Sequence, residues 1–171
     1  MNKIVKGQSL PQVIVDNKGE VLLDDGRTYY EQWDSQALKG KVRCVHHMAG
    51  RSSAKDINEA LMETLKKAGL PQSDYQTTTI VNLKDAIFGT GSLVSMMVEG
   101  GKKEFPWSSV VIDAKGAVQA AWGLEKESSA VAILDRSGQV LFFKDGKLTA
   151  EEVSSAVAMI SEQLAEAGVP A

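Results

Sequence analysis

The sequence has few of the residues that support thiol or metal chemistry. Its 171 residues include one cysteine, Cys44, and two histidines, His46 and His47. A single cysteine excludes an internal disulfide, a C-x-x-C pair and a cysteine-rich zinc site. The two histidines are neighbours in a strand-like segment, so their side chains point to opposite faces and cannot ligate one metal ion together without a bulge. We therefore predict no metal, no cofactor and a structural role for at least one of the two histidines.

Long hydrophobic runs and an excess of one charge are also lacking. The chain is 43% hydrophobic and 24% charged, and its formal net charge is −3. No apolar run is long enough to cross a bilayer. A slightly acidic chain without a basic segment lacks the electrostatic footprint of nucleic-acid-binding proteins, which also disfavours regulation by direct DNA contact. We expect no membrane span, no nucleic-acid partner, and a monomer or a weak homodimer.

The first seven residues contain two lysines but no apolar stretch that could form a signal-peptide core. Two histories fit this observation. Either the protein is made and kept in the cytoplasm, or this is a mature form from which a signal peptide has been removed. The sequence is compatible with both histories.

A β-branched run followed by D-x-x-G occurs three times in the sequence. The copies end in Asp16–Gly19, Asp113–Gly116 and Asp135–Gly138. Asp in such a motif accepts hydrogen bonds from the following backbone, and Gly adopts the positive φ that reverses the chain. The pattern predicts three hairpins, at 13–21, 109–121 and 130–143. Their irregular spacing excludes a solenoid of repeats.

Two helices are predicted from capping residues and apolar spacing. One begins at Ser53, with Asp56 as its capping partner, and ends at Gly69. A weaker helix is predicted over 93–98, where the adjacent pair Met96–Met97 is interpreted as core filler.

The second helix predicted from capping residues and apolar spacing is the C-terminal one. It begins at Thr149, with Glu152 as its capping partner, and ends at Gly168 and Pro170. Its apolar residues recur on one face, so it packs that face against the sheet.

Strands at 43–48 and 77–82 flank the first helix, which demands a right-handed parallel crossover. The later hairpins are expected to add antiparallel strands to the same sheet. The predicted class is therefore α/β, with a mixed sheet and helices on both faces. No linker divides the chain, so we expect one domain over 1–171, with a hairpin extension at 1–40 and a core at 41–171.

Several segments resemble a known superfamily. Gly7–Pro11, Leu38–Val42, Ala121–Leu124 and Ser128–Gly138 resemble the thioredoxin-like AhpC/TlpA class. More specific similarity is to the YtfJ family, and it is carried by His47–Lys55, Tyr75–Asn82, Pro106–Ser108 and Glu127–Val131. This resemblance implies a thioredoxin-like fold and, by analogy with the family, a periplasmic location after removal of a signal peptide.

The sequence departs from active thioredoxins at the thiol-bearing face. Where that class carries its dithiol, this chain has Arg51 and Ala54, and where the class carries a cis-proline it has Ser129 followed by Ala130. Dithiol exchange needs two sulfur atoms. A cis bond without proline costs about 2.5–4 kcal/mol, so a trans peptide is expected. The resemblance therefore implies a binding protein without dithiol catalysis.

The candidate ligand-binding residues are Arg51, Ser52 and Ser53 at a predicted helix N-terminus, with Ser129 in the facing loop. A guanidinium, hydroxyls and free backbone amides suit a protein partner or a small anionic ligand. The plainer alternative is that Ser53 caps the helix and Arg51 pairs with an acidic neighbour.

Cys44 supports a rival, enzymatic hypothesis. A one-cysteine peroxidase or reductase would use its thiol as the nucleophile. The position lies on a strand, away from a helix N-terminus, so a buried structural cysteine is the favoured interpretation.

Aromatic residues near predicted loops suggest a further alternative. An exposed subset could form a protein-binding patch, whereas packing at the edge of the core is the simpler interpretation. These residues are Tyr29, Tyr30, Trp33, Phe105 and Trp107.

Overall fold

A computed structural model of the chain describes residues 2–166. Within that range it has seven strands and five α-helices. The strands are β1 (Ile14–Asp24), β2 (Arg27–Asp34), β3 (Val42–Ala49), β4 (Tyr75–Asn82), β5 (Ser109–Asp113), β6 (Ser129–Leu134) and β7 (Val140–Asp145). The helices are α1 (Ser52–Ile57), α2 (Glu59–Ala68), α3 (Gly91–Glu104), α4 (Ala117–Trp122) and α5 (Ala150–Glu166). Short 3-10 helices occupy Ser35–Leu38 and Leu83–Asp85.

The strands form one mixed sheet in the order β2-β1-β5-β4-β3-β6-β7. β3 pairs in parallel with β4, and β4 pairs in parallel with β5, whereas the other neighbours are antiparallel. The parallel pair β3 and β4 is joined through α1 and α2, which confirms a parallel crossover connection and the mixed α/β class. β3 is an interior strand with both faces covered, and this explains why nearly all its residues are buried.

Two apolar clusters lie on opposite faces of the sheet. One includes Val45 of β3 with Val118 and Trp122 of α4. The other includes Cys44 of β3, together with core residues from α2 and α5 such as Leu61. Adjacent residues of a strand point to opposite faces, so β3 supplies both clusters.

The first D-x-x-G segment is not the turn of a hairpin. Asp16–Gly19 lies inside β1, where the pairing with β2 shifts register, and the chain instead reverses through Asp25 and Gly26. Gly19 has φ of 98°, and a Cβ there would lie 2.1 Å from the carbonyl oxygen of Glu31. The segment is a bulge that needs glycine because a neighbouring strand passes so closely.

The second D-x-x-G segment leads into a helix, so the predicted hairpin at 109–121 is wrong. Asp113 ends β5, and its Oδ2 accepts a hydrogen bond of 2.8 Å from the backbone N–H of Val118 in α4. Gly116 precedes α4 with φ of 71°. The same Asp and Gly chemistry therefore starts a helix here, and β5 joins the sheet in parallel with β4.

The third D-x-x-G segment is the predicted turn. Asp135 Oδ1 accepts from the backbone N–H groups of Ser137 (3.0 Å) and Gln139 (2.9 Å), and Gly138 has φ of 85°. β6 and β7 pair in antiparallel fashion on either side of it. The hairpin at 130–143 is confirmed.

The predicted helix after Arg51 is divided in two. α1 ends before Asn58, whose φ of −116° and ψ of 27° are not helical, and α2 begins directly after it. Arg51 occupies the cap position of α1 and makes no side-chain capping bond there. The prediction that Ser53 caps this helix is therefore wrong, because the helix begins one residue earlier, at Ser52.

The N-terminus of α5 has the predicted capping box. Thr149 N–H donates to Glu152 Oε1 at 2.9 Å, and Glu152 N–H donates to Thr149 Oγ1 at 3.1 Å. The predicted end of this helix at Gly168 and Pro170 lies outside the described residues.

Candidate functional site

Arg51 joins three chain segments where β3 ends. Its Nε donates to the backbone oxygen of Asp85 at 2.8 Å, and its Nη2 lies 3.4 Å from Oε1 of Glu127. Asp85 follows β4 and Glu127 precedes β6, so the guanidinium connects the end of β3 to the loop after β4 and to the loop before β6. Arg51 does pair with an acidic neighbour, as the plainer interpretation proposed. Ser52 and Ser53 are exposed beside it.

Ser129 lies beneath this surface. It is 1% exposed, and its Oγ accepts from Nδ2 of Asn58 at 2.9 Å while lying 2.9 Å from Nε2 of His46. Since the hydroxyl accepts from Asn58, its own proton is free to be donated to a neutral His46. The structure thus brings Arg51, Ser52 and Ser53 to one edge of the protein and places Ser129 in the supporting layer.

Asn58 is the centre of that supporting layer. In addition to Ser129, its Nδ2 donates to the backbone oxygen of Gly146 at 3.0 Å, and its Oδ1 accepts from the N–H of Leu148 at 2.9 Å. These bonds connect the α1–α2 junction to β6 and to the segment after β7. They also explain the break between α1 and α2, because the bonded side chain holds Asn58 away from helical geometry.

Asp85 organises the other side of the same edge. Its Oδ2 accepts from Nε2 of Gln119 at 3.1 Å and from the N–H of Glu127 at 2.9 Å. Gln119 in turn accepts from Nδ2 of Asn82 at 3.1 Å. Sequence reasoning missed Gln119 and Asn82, and no local signal could have identified them, because their partners come from distant segments.

Both histidines of β3 are buried, at 3% exposure for His46 and 4% for His47. The pKa of each is lowered to about 4, chiefly by burial. For His47, repulsion by His46 contributes to the lowering and attraction by Asp85 partly opposes it. Both rings are therefore neutral at pH 7. Nε2 of His47 has no hydrogen-bond partner among residues 2–166, in contrast to Nε2 of His46.

Cys44 lies in the interior, away from the edge formed by Arg51. It is fully buried, and burial raises the pKa of its thiol to about 12, against a smaller lowering by a hydrogen bond with Tyr75. The nucleophilic form of cysteine is the thiolate. This environment disfavours that form and agrees with a structural role for Cys44.

An exposed apolar surface lies next to Arg51. We call the side chains of Ile87, Phe88, Leu93, Met96 and Met97 the α3 apolar surface. Phe88 is fully exposed, and Met96 and Met97 are 67% and 66% exposed. The prediction that Met96 and Met97 fill the core is wrong, because α3 buries the opposite face.

The α3 apolar surface is close to the end of β3. Ile87 follows Asp85, whose backbone oxygen bonds Arg51. A Cβ built on Gly50 would lie 3.4 Å from Cγ1 of Val94 in α3. Leu93, Met96 and Met97 are spaced so that they share one face of α3.

The aromatic residues divide between surface and core. Tyr29 and Trp107 are 42% and 57% exposed, whereas Trp33 is buried. Trp107 packs edge-to-face against Phe105, with ring centroids 5.6 Å apart. The burial of Trp33 agrees with packing in the core. The α3 apolar surface includes none of the five aromatic residues singled out in the sequence.

Within residues 2–166, no three His, Cys, Asp or Glu side chains are placed to hold a metal ion. In the same part of the chain, no helix combines the length and apolar character needed to cross a membrane.

Sequence comparison identifies the family. The profile described as "Bacterial protein of unknown function (YtfJ_HI0045)" matches residues 4–163. The chain belongs to the YtfJ family. It is 46% identical over 158 residues to the uncharacterized protein YtfJ of Escherichia coli (strain K12), an alignment that covers 92% of this chain and 86% of that protein. It is 44% identical over 154 residues to an uncharacterized protein of Haemophilus influenzae (strain ATCC 51907 / DSM 11121 / KW20 / Rd), covering 90% of this chain and 84% of that one.

Solved structures show that the fold is thioredoxin-like. A candidate protein disulfide isomerase from Bacteroides thetaiotaomicron superposes with a TM-score of 0.63 at 18% identity, covering 96% of this chain and 92% of that one. StoA from Bacillus subtilis superposes with a TM-score of 0.53 at 16% identity, covering 75% and 90%. At such identities the likeness concerns the fold alone. The peptide bonds within the described range are all trans, as predicted for the segment at Ser129.

Proposed function

We propose that this protein is a non-catalytic binding module of thioredoxin-like fold, and that it binds a protein partner through the α3 apolar surface and the adjoining Arg51. The observation that carries the proposal is the exposure of five large apolar side chains within residues 87–97. Exposed apolar patches of this kind mark interaction sites, because apolar side chains that stay in water do not stabilise the protein's own fold.

The edge beside this surface supports the proposal by being rigid. Arg51 is hydrogen-bonded to Asp85, and Asp85 is bonded in turn to Gln119 and to the backbone of Glu127. A pre-organised surface loses little conformational entropy when a partner binds. Since Arg51 is 18% exposed and already paired with Glu127, it is suited to orient a partner at the margin of an apolar contact.

A small anionic ligand is the narrower form of the same proposal. Arg51, Ser52 and Ser53 would supply the polar contacts, with Ser129 supporting them from below. Arg51 would have to exchange Glu127 for the anion, so a protein partner is favoured. Titration calorimetry with sulfate and phosphate tests the narrower form, which predicts binding that disappears in Arg51→Ala.

Affinity capture from a periplasmic extract tests the main proposal. The wild-type protein is compared with the double variant Phe88→Ser/Met97→Ser and with Val5→Ser, a control at an apolar residue that is 50% exposed in the N-terminal segment. We expect a partner that is retained by wild type and Val5→Ser and lost by the double variant. Equal capture by all three proteins would refute the role of the surface.

The location and assembly state belong to the same proposal. The family resemblance supports a periplasmic protein, and cell fractionation with an antibody to the native protein tests this. We propose a monomer or a weak homodimer, which sedimentation equilibrium over a range of concentrations would distinguish. The one-cysteine peroxidase hypothesis is disfavoured, because burial raises the pKa of the Cys44 thiol by more than its hydrogen bond with Tyr75 lowers it.

A further inference from the structure

Strand β2 is an open edge of the sheet. It stands at one end of the strand order, and among residues 2–166 no strand other than β1 pairs with it. The opposite edge, β7, is covered where it begins, because Gly7 N–H donates to the oxygen of Val140 at 2.8 Å and Val140 N–H donates to the oxygen of Gln8 at 2.9 Å. β2 also contains neither the proline nor the lysine that commonly protect an edge strand from pairing.

The turn before β2 determines which of its backbone groups point outward. The two-residue turn Asp25–Gly26 has positive φ at both positions, of 50° and 77°. Such a turn makes the flanking residues, Asp24 and Arg27, a hydrogen-bonded pair. Hydrogen bonding to β1 then recurs at every second residue of β2. The N–H and C=O groups of Thr28 and Tyr30 therefore point away from β1, toward the open edge.

Opposite charges on one face of β2 lack partners. Arg27, Tyr29 and Glu31 are exposed and share this face. Neither Arg27 nor Glu31 forms an ion pair within residues 2–166. Glu31 lies directly opposite Glu20 of β1, and like charges in that position destabilise a sheet. A positive charge on the outer side of Glu31 would offset this repulsion.

We propose that β2 pairs in antiparallel fashion with β2 of a second copy of this chain, about a two-fold axis at Tyr29. Thr28 of each copy then exchanges backbone hydrogen bonds with Tyr30 of the other. Arg27 of each copy lies opposite Glu31 of the other, and the two Tyr29 side chains face each other. The occupant is a second copy because the charges of β2 complement their own two-fold image. Moving the axis to Tyr30 or to Glu31 loses both ion pairs.

This interface is separate from the surface assigned to partner binding. It involves neither the α3 apolar surface nor Arg51. The inference rests on the weak homodimer of the proposed function and specifies its contacts, and it does not depend on a partner bound at α3. Failure of either proposal therefore leaves the other standing.

Sedimentation equilibrium of the full chain tests for the dimer. As the concentration rises to about 1 mM, we expect the wild-type mass to increase from 18.4 kDa toward twice that value. Glu31→Lys should weaken dimerisation at least about tenfold, because two ion pairs become repulsive. Its melting temperature should be unchanged or higher, because the introduced charge lies opposite Glu20.

Two outcomes of this experiment are decisive. The double variant Phe88→Ser/Met97→Ser should dimerise like wild type, and loss of its dimer would assign the contact to the α3 apolar surface and overturn the proposal. A wild-type protein that stays monomeric at about 1 mM would also overturn it, and would leave the edge to an extended segment of another protein.

A charge exchange between two variants tests the register. Arg27→Glu and Glu31→Lys should each dimerise poorly alone. In a mixed dimer of the two variants, both ion pairs form again with their signs exchanged at one end. We therefore expect an equimolar mixture to associate at least about tenfold more tightly than either variant by itself. A mixture that associates no better than the separate variants would contradict the proposed register.

A cysteine at the two-fold axis gives a covalent test. Facing residues of this kind have Cα atoms about 4.5 Å apart, within the range of about 4.4–6.8 Å that a disulfide spans. Cys44 is the single native cysteine and is buried, so a cysteine introduced on the surface carries the accessible thiol. Under mild oxidation, Tyr29→Cys should give the linked dimer at least about tenfold faster than Gln32→Cys.

Gln32→Cys is the matched control for that cross-link. Gln32 is exposed on the same strand, three residues from Tyr29. In the proposed register its Cα and that of the second copy lie roughly 20 Å apart, too far for a disulfide. Equal rates for the two variants would show that the linkage arises from random collision, and would overturn the proposed axis.

Discussion

The two histidines of β3 occupy contrasting environments although they are neighbours in the chain and are buried to the same degree. His46 faces the side of α2 and α5, where Ser129 bonds its Nε2 and Asn58 bonds Ser129. His47 faces the side of α4, where its Nε2 has no partner within the described range. Burial alone therefore does not reveal what a polar residue contributes, because the two environments differ in hydrogen bonding and not in exposure.

Acid should act on the two histidines alike, and it should have the largest effect on the stability of the protein. The pKa of each is lowered to about 4 in the folded state from its ordinary 6.5, so the unfolded chain binds more protons between these values. Stability is then complete above pH 6.5 and falls as the pH drops toward 4. We expect a loss of about 2 kcal/mol per histidine between pH 7 and pH 4.5, measured by urea unfolding.

The acid effect has a matched control. A His46→Gln/His47→Gln double variant removes both titrations, so its stability should vary much less over the same interval. A wild-type protein whose unfolding free energy is the same at pH 7 and pH 4.5 would show that the histidines are not buried in neutral form.

Replacement of Asn58 should destabilise the protein through the side of the sheet on which His46 is hydrogen-bonded. Asn58→Ala deletes three hydrogen bonds, to Ser129, Gly146 and Leu148, and leaves buried groups without partners. We expect a loss of about 3 kcal/mol in unfolding free energy. Asn17→Ala, at an exposed asparagine in the β1 bulge, serves as the control. A loss below 1 kcal/mol for Asn58→Ala, measured by the same unfolding experiment, would contradict the role given to this network.

Leucine substitutions compare the two histidines directly. His46→Leu leaves the Ser129 hydroxyl without its acceptor and should cost about 1–2 kcal/mol at pH 7. His47→Leu replaces a ring whose Nε2 is unbonded, so its cost should be within about 1 kcal/mol of zero. The unfolding free energies of the two variants test this difference. A greater loss for His47→Leu than for His46→Leu would contradict the contrast drawn between the two histidines.

The smallest change in stability is expected for replacement of Arg51, at the edge where β3 ends. Arg51→Ala breaks an ion pair of 3.4 Å whose acidic partner is 63% exposed, and such pairs contribute less than about 1 kcal/mol. It also removes the 2.8 Å hydrogen bond to the backbone oxygen of Asp85, which water can replace at this edge of the protein. The melting temperature should therefore change little. A large destabilisation would mean that Arg51 holds the loops of Asp85 and Glu127 together, which is a structural role, and would weaken its assignment to binding.

The three D-x-x-G segments show how far sequence reasoning extends. Each was predicted to form a hairpin turn, and only Asp135–Gly138 does so. Asp16–Gly19 is a bulge against β2, and Asp113–Gly116 begins α4. The local hydrogen bonding to Asp and the positive φ of Gly were foreseeable. The direction of the chain after each motif was not, because it depends on which distant segment covers that part of the sheet.

The candidate site was foreseeable to a similar degree. The position of Arg51 at the end of β3 followed from the family pattern, and its acidic neighbour was anticipated. The supporting bonds of Asn58 and Gln119 join segments far apart in the chain, and no spacing rule relates them. The exposure of Met96 and Met97 was missed because an apolar helix position has the same appearance in sequence whichever face is covered.

The amino-acid sequence by itself determined the α/β class, the single thiol without a partner, the capping box at Thr149 and the turn at Asp135. These features rest on composition or on hydrogen bonds between residues close together in the chain. Only the tertiary structure decided that α1 ends before Asn58, that Ser129 is buried, and that one face of α3 remains open. Each of these depends on contacts between remote segments, and short-range patterns carry no information about which remote segments meet.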